Sequence, residues 1–174
     1  RKTEALSGDI TLDLKEGDLL PETYFYSRDD TRDGVLSRMK EAMEKTLDEA
    51  WRKRAAGLPY ANKREALIMA SIIEKETGKS EERDLIGGVL VNRLRIGMRL
   101  QVDPTIIYGL GATFDGNLKR SHLTDDGPYN TYTRAGLPPS PIAMPGLASL
   151  HAALNPAKTD ALYYVSRGDG SSQF

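Results

Sequence analysis

The stretch from Ala61 to Gly78, ANKREALIMASIIEKETG, constrains this chain more than any other. It reads as a helix. Asn62 can cap the first turn, Glu65 sits at capping-box spacing, and Gly78 stands where a left-handed C-terminal cap is expected. At about 100° per residue, Ala66, Ile72 and Ile73 lie within about 60° of Met69 and define the core-facing stripe. Glu76 falls one turn further along that stripe, Lys75 points away, and Glu74 lies at its edge. A carboxylate on the buried side of a helix is costly unless it is paired or put to use, so Glu76 is the residue to explain.

Around this helix the rest of the chain divides into patterned and unpatterned regions. Asp9 to Leu14 alternates Ile10, Leu12 and Leu14 with polar residues, the period of a half-buried strand, and Glu16-Gly17-Asp18 has turn chemistry. Tyr24-Phe25-Tyr26 reads as a packed aromatic strand, with a sugar-stacking platform as the alternative. From Thr31 to Ala56, apolar residues recur at three and four, a long amphipathic helix with Trp51 on its core face. Ser80 opens another helix, whose Gly87-Gly88 pair implies a close crossing, expected against the Glu76 helix. Beyond Leu100, Asp103-Pro104, Gly109, Gly111, Asp126-Gly127-Pro128 and the run Gly136 to Pro141 suggest long functional loops. A short helix is expected over 146–154, and Leu162 to Val165, Gly168-Asp169-Gly170 and Gln173-Phe174 suggest a hairpin.

Composition narrows the chemistry. With 174 residues and 39% hydrophobic content the chain can bury one core, and 24 basic against 25 acidic residues give no polyanion-binding surface, so nucleic acid is not an expected partner. The absence of cysteine removes disulfides, thiolate zinc sites and thiol nucleophiles, and is compatible with an oxidising envelope compartment. His122 and His151 stand far apart, so neither a metal site nor a cofactor is expected. No apolar run is long enough to span a membrane, and a start at Arg1 suggests a piece cut from a longer, anchored protein.

Three loop elements are expected to converge on Glu76: Leu100-Gln101-Val102-Asp103-Pro104-Thr105, then Tyr129-Asn130-Thr131-Tyr132, then the proline run 136–141, which can pre-set a groove wall. Amide and phenol groups in a loop-built cleft suit a neutral ligand rich in hydroxyls and amides, such as a sugar polymer. Gly109-Leu110-Gly111 lacks the third glycine of a nucleotide loop. Ordinary glycoside hydrolysis needs two carboxyls. Asp103 is the candidate partner, although an Asp before Pro is more often a turn or cap residue. One carboxyl suffices if the same group protonates the leaving oxygen and then deprotonates a hydroxyl of the substrate itself.

The segments ASIIEKETG, ERD, VNRLRIGMRLQVDPTIIYGLG, YNTYTRAGLPPSPIAMPG and NPAKTDALYYV, in that order across residues 60–174, resemble the MltG-type (YceG-like) endolytic murein transglycosylases. The resemblance implies internal cleavage of peptidoglycan glycan strands to 1,6-anhydro-N-acetylmuramic acid ends. It also implies a single-pass anchor on the periplasmic face of the inner membrane, a LysM-like module before the catalytic part, and peptidoglycan synthases as candidate partners. It places the catalytic glutamate on Glu76. More distantly, Glu76-Thr77, Leu100-Gln101 with Pro104, and Tyr129-Asn130 resemble elements of soluble lytic transglycosylases and goose-type lysozymes, so Gln101, Tyr129 and Asn130 would line the cleft, with Asp103, Thr131 and Tyr132 beside them as substrate-binding candidates. Members of the family continue past Phe174 into a further tail.

The expected fold is α+β, a mainly helical lysozyme-like catalytic core with short peripheral strands or hairpins. Residues 1–30 form a β-rich segment next to the missing module, and residues 31–174 the catalytic domain, truncated at its C-terminus. Arg93 and Arg95 are expected at surface ion pairs, or against peptide-stem carboxylates. A muramidase using water with Asp103, and a wall-binding module without turnover, are the alternatives.

Overall fold

The computed structural model describes residues 6–166 and 172–173. In order come α1 (Arg32–Arg52), α2 (Lys63–Glu76), a 3-10 turn (Ser80–Glu82), α3 (Arg83–Arg95), α4 (Asp103–Leu110), a second 3-10 turn (Gly111–Thr113), α5 (Arg120–Thr124) and α6 (Leu147–Leu154). An antiparallel pair follows, β1 (Val165–Ser166) with β2 (Ser172–Gln173). The described chain is mainly helical, and none of its helices is long and apolar enough to cross a membrane.

Helix α2 is the centre. Asn62 Oδ1 accepts from Glu65 N at 3.1 Å, and Glu65 Oε2 reaches back to Ala61 N at 2.7 Å, which fixes the first turn. Every residue from Ala66 to Ile73 is buried, so the helix is covered on all sides. Helices α2 and α3 both pack on α6, and Met69, Ile72, Ile73, Ile86, Leu90, Leu150 and Leu154 form the fully enclosed heart of the core. Each such side chain contributes about 1.5–3 kcal/mol by leaving water.

The close approach at Gly87-Gly88 is real, but its tightest contacts are with α6 and the chain after it, beyond the expected Glu76 helix. A Cβ on Gly87 would meet Ala152 O at 2.6 Å, and one on Gly88 would meet Ala157 O at 2.5 Å. The glycines therefore admit α6 and the chain after it, and α2 also comes close, since a Cβ on Gly87 would stand 3.4 Å from Ile73 Cδ1. That chain is stitched down further by Asn92 Nδ2, which donates to Thr159 O at 2.7 Å, and by Ala157 N, which donates to Asp84 O at 2.9 Å.

The N-terminal region departs from the expected strands. Over residues 6–30 the only pairing described is a bridge between Ser7 and Thr31, and Ile10 is 60 % exposed. Alternation alone makes no strand where no neighbouring edge is available. The following segment instead packs as coil: Leu20 is buried, Leu20 N donates to Met39 O at 3.2 Å, and Gly17 (φ +89°) lies so close to Pro141 that a Cβ would stand 2.8 Å from its Cγ. Tyr24-Phe25-Tyr26 is not a packed strand either, since Phe25 is 88 % exposed. Trp51 is half-buried, with the Arg54 guanidinium 3.9 Å over its ring. At the other end the expected hairpin pairs Val165 with Gln173 and Ser166 with Ser172, while Gly168-Asp169-Gly170 and Phe174 lie outside the described residues.

Candidate active site

The core-facing stripe of α2 runs out at Glu76, its last residue. One carboxyl oxygen, Oε2, is enclosed without a hydrogen-bond partner, and the Tyr164 phenol hydrogen-bonds the carboxyl. Burial pushes Glu76 above its ordinary value of 4.5, the negative charge of Asp103 adds to the rise, and the Tyr164 hydrogen bond and the Arg93 charge oppose it. Burial likewise holds the Tyr164 and Tyr132 phenols well above the usual range, so both remain proton donors.

Asp103 opens α4 and is exposed, and the Tyr132 hydroxyl donates to its Oδ1 at 2.6 Å. The stretch around Asp103 is helical, where loops were expected. Val102 is the N-cap residue and Pro104 occupies the first turn, a position where its missing N–H costs nothing. Thr131 fastens this helix to the 129–132 turn. Its Oγ1 accepts from Val102 N at 2.9 Å and lies 2.9 Å from Thr105 Oγ1, and its carbonyl accepts from Gln101 N at 3.1 Å. Between these bonds Gln101 is held in the left-handed region (φ +52°), the sole non-glycine residue so placed among the described residues, with its side chain exposed. Strain of this kind, about 1–3 kcal/mol, persists only where surrounding bonds impose it and clusters at functional sites.

Asn130 is buried, and its amide is consumed by the chain. Nδ2 donates to His122 O at 3.0 Å and to Asp125 O at 2.7 Å, and Oδ1 accepts from Tyr132 N at 2.9 Å. Asn130 therefore shapes the turn that presents Tyr132. Tyr129 stands T-shaped to Tyr108 at 4.9 Å, with its hydroxyl 2.6 Å from Ser140 Oγ. With Ile106, Leu110 and Pro128 it walls a cavity of about 290 Å³ beyond the far end of α4 from Asp103.

Of the three loop elements, two come to Glu76, through Asp103 and through Tyr132, whose phenol feels the Glu76 charge. The proline run does not. Ile142 N donates to Ser71 Oγ at 3.0 Å, and Leu137, Pro138 and Pro139 line a separate cavity with Asn62 and Ile68, along the N-terminal half of α2. Glu74 is ion-paired: Arg83 Nη2 lies 3.5 Å from one oxygen, and Gly146 N donates to the other at 2.9 Å. Arg93 and Arg95 make no surface ion pair among the described residues. Arg95 donates to Gly57 O, and Arg93 is buried with bonds to two backbone carbonyls.

Two residues of the cluster escaped sequence reasoning, Tyr164 and Arg93. Tyr163-Tyr164 was legible only as strand, although alternation alone sends the two rings to opposite sides. Arg93 lies three residues after Leu90 and four after Val89, on the buried stripe of α3, which is the same signal that singled out Glu76.

Similarity to known proteins follows this geometry. The endolytic murein transglycosylase of Bacillus subtilis is 37% identical over 163 residues, which cover 91% of this chain and 44% of that protein. The Streptococcus pneumoniae protein of the same name is 36% identical over 155 residues, 87% of this chain and 28% of that one. A solved YceG-like structure from Listeria monocytogenes superposes with a TM-score of 0.75 at 36% identity, covering 91% of this chain and 51% of that one. The chain thus spans about half, or less, of the length of these relatives. The model of the YceG-like family matches residues 2–174, and the chain belongs to that family.

Proposed function

We propose that this chain is the catalytic part of an endolytic lytic transglycosylase acting on the glycan strands of peptidoglycan, with Glu76 as its only acid and base. The observation that carries the reading is the Glu76 carboxyl, one oxygen enclosed and unpartnered and the whole group pushed toward its protonated form. As the bond from N-acetylmuramic acid C1 to the glycosidic oxygen breaks, Glu76 gives that oxygen its proton. The carboxylate so formed takes the C6 hydroxyl proton as O6 bonds to C1, which restores the acid and leaves a 1,6-anhydro end. The substrate's own N-acetyl group steadies the positive centre.

Asp103 is less suited to be a second catalytic carboxylate, because it sits at a helix start and accepts from Tyr132. Gln101, Asp103 and Tyr132 meet the sugars about the scissile bond, and the cavity at Tyr129 takes sugars further along. Asn130 and Thr131 hold the turn between them. A central helix ending in the acid supports reading the helical core as lysozyme-like. The names of the relatives support a cell-envelope role; an inner-membrane anchor and synthase partners are what the family resemblance adds to the proposal. The test is Glu76→Gln: glycan strands should still bind while fragment release stops. Normal turnover by that variant would remove the assignment.

A further inference from the structure

Arg93 is 7 % exposed and forms no salt bridge among the described residues. A buried cation without a carboxylate against it is costly unless the fold uses it. Its Nε donates to Leu162 O at 2.5 Å, its Nη1 donates to Leu100 O at 2.6 Å, and the Tyr163 ring lies 4.9 Å from the guanidinium carbon. The two carbonyls belong to the two segments that flank Glu76. Leu100 immediately precedes strained Gln101 and, three residues on, Asp103; Leu162 lies two residues before Tyr164.

We infer that Arg93 is a positioning residue of the reaction, gripping both flanking segments through their carbonyls and serving as counter-ion to the Glu76 carboxylate that exists between the two proton transfers. The inference rests on the proposed role of Glu76. The groups that face this carboxyl among the described residues are Asp103 from α4, Tyr132 from the 129–132 turn, Tyr164 ahead of β1 and Arg93 from α3, and Arg93 is the one cation in that set. Without it, proton loss from Glu76 would leave an anion beside the Asp103 charge with the Tyr164 and Tyr132 hydroxyls as donors but no cation in the cluster. A guanidinium suits both duties, because its planar fork reaches two acceptors while keeping its charge.

The experiment compares wild type, Arg93→Gln and Arg93→Lys for glycan-strand cleavage across pH, with circular dichroism as the check on folding. Arg93→Gln removes the charge, and we expect kcat to fall about tenfold or more while the basic limb of the profile, where Glu76 loses its proton, moves up by about one pH unit. Arg93→Lys keeps the charge but offers one point donor, so its limb should stay in place while kcat falls several-fold. A lost packing contact alone would lower the whole profile without moving the limb, and that result in Arg93→Gln overturns the inference, as does wild-type kcat. If Arg93→Gln does not fold, Arg93→Met, uncharged and of similar length, takes its place: a limb moved up supports the inference, and a limb left in place or wild-type kcat overturns it. Glu76→Gln, run alongside, separates the two ideas. Turnover surviving in that variant defeats the role of Glu76 itself, whereas turnover lost there and unaltered in the Arg93 variants defeats only the role of Arg93.

Discussion

The Tyr132 hydroxyl donates to Asp103 Oδ1 at 2.6 Å, which ties the carboxylate at the start of α4 to the turn built by Asn130 and Thr131. A carboxylate held in this way repels charge on Glu76 and so helps keep that group protonated.

Asp103→Asn should therefore leave bond cleavage largely intact, with kcat within about tenfold of wild type. Removing the like charge lowers the Glu76 value, so the basic limb of the pH profile should move down. A pH–rate series on purified glycan strands checks both. If Asp103 were the base of a water-using enzyme, the same substitution would abolish turnover.

Stability should respond to pH through Glu76. Its value in the folded chain is raised, so the folded state binds this proton more tightly than the unfolded chain does. The stabilisation from that proton is full below about 4.5 and is lost as pH rises through the folded value. Glu76→Gln removes the cost of charging a covered group, and should stabilise the protein at pH 7, with the gain vanishing as pH falls below about 4.5. Urea midpoints measured from pH 4 to 8 for the two proteins show whether the difference grows in that direction.

Gln101→Gly should raise stability by up to about 1 kcal/mol, because glycine adopts φ +52° without the penalty of a side chain. It should also lower turnover, since the proposed sugar contact of this exposed side chain is gone and the segment is freer. Thermal unfolding and glycan cleavage measured on the same preparation test this opposition; a variant both less stable and fully active would contradict it.

Gly88→Ala would drive a Cβ to 2.5 Å from Ala157 O and 2.8 Å from Thr159 Cγ2, pushing away the segment that leads to Tyr164. A loss of about 1–3 kcal/mol is expected, together with reduced activity. Gly78 does not adopt the left-handed conformation expected of it, and a Cβ there meets nothing within 4 Å, so Gly78→Ala is the matched control and should keep wild-type stability.

Much of this architecture could be read before any coordinates, because the long helices announce themselves by period. The stripe through Met69, Ile72 and Ile73 is enough to turn Glu76 inward, although the structure buries every side of α2 from Ala66 to Ile73. The same rule applied to α3 reaches Arg93 after Val89 and Leu90, but a basic residue at a helix end was more easily taken for a surface charge. Its carbonyl partners, Leu100 and Leu162, are set by tertiary packing and leave no trace in the local pattern. Helix α4 is hidden because Asp103-Pro104 heads a glycine- and proline-rich stretch with the composition of loops, although proline in a first turn suits a helix start. The alternation over residues 9–14 misled in the opposite sense, since period two needs a neighbouring strand and the segment that follows docks instead on α1 and Pro141. Asn130 shows a third kind of limit. An amide between turn residues looks like a ligand contact until His122 O, Asp125 O and Tyr132 N are seen to occupy it.

Digestion of peptidoglycan strands by this chain in water enriched with oxygen-18, followed by mass spectrometry of the released fragments, tests the single-carboxyl account most directly. The account predicts muramic acid ends lighter by one water than a hydrolysis product and free of the label. Reducing ends carrying one labelled oxygen would contradict it, since water and not the substrate's own hydroxyl would then have attacked C1.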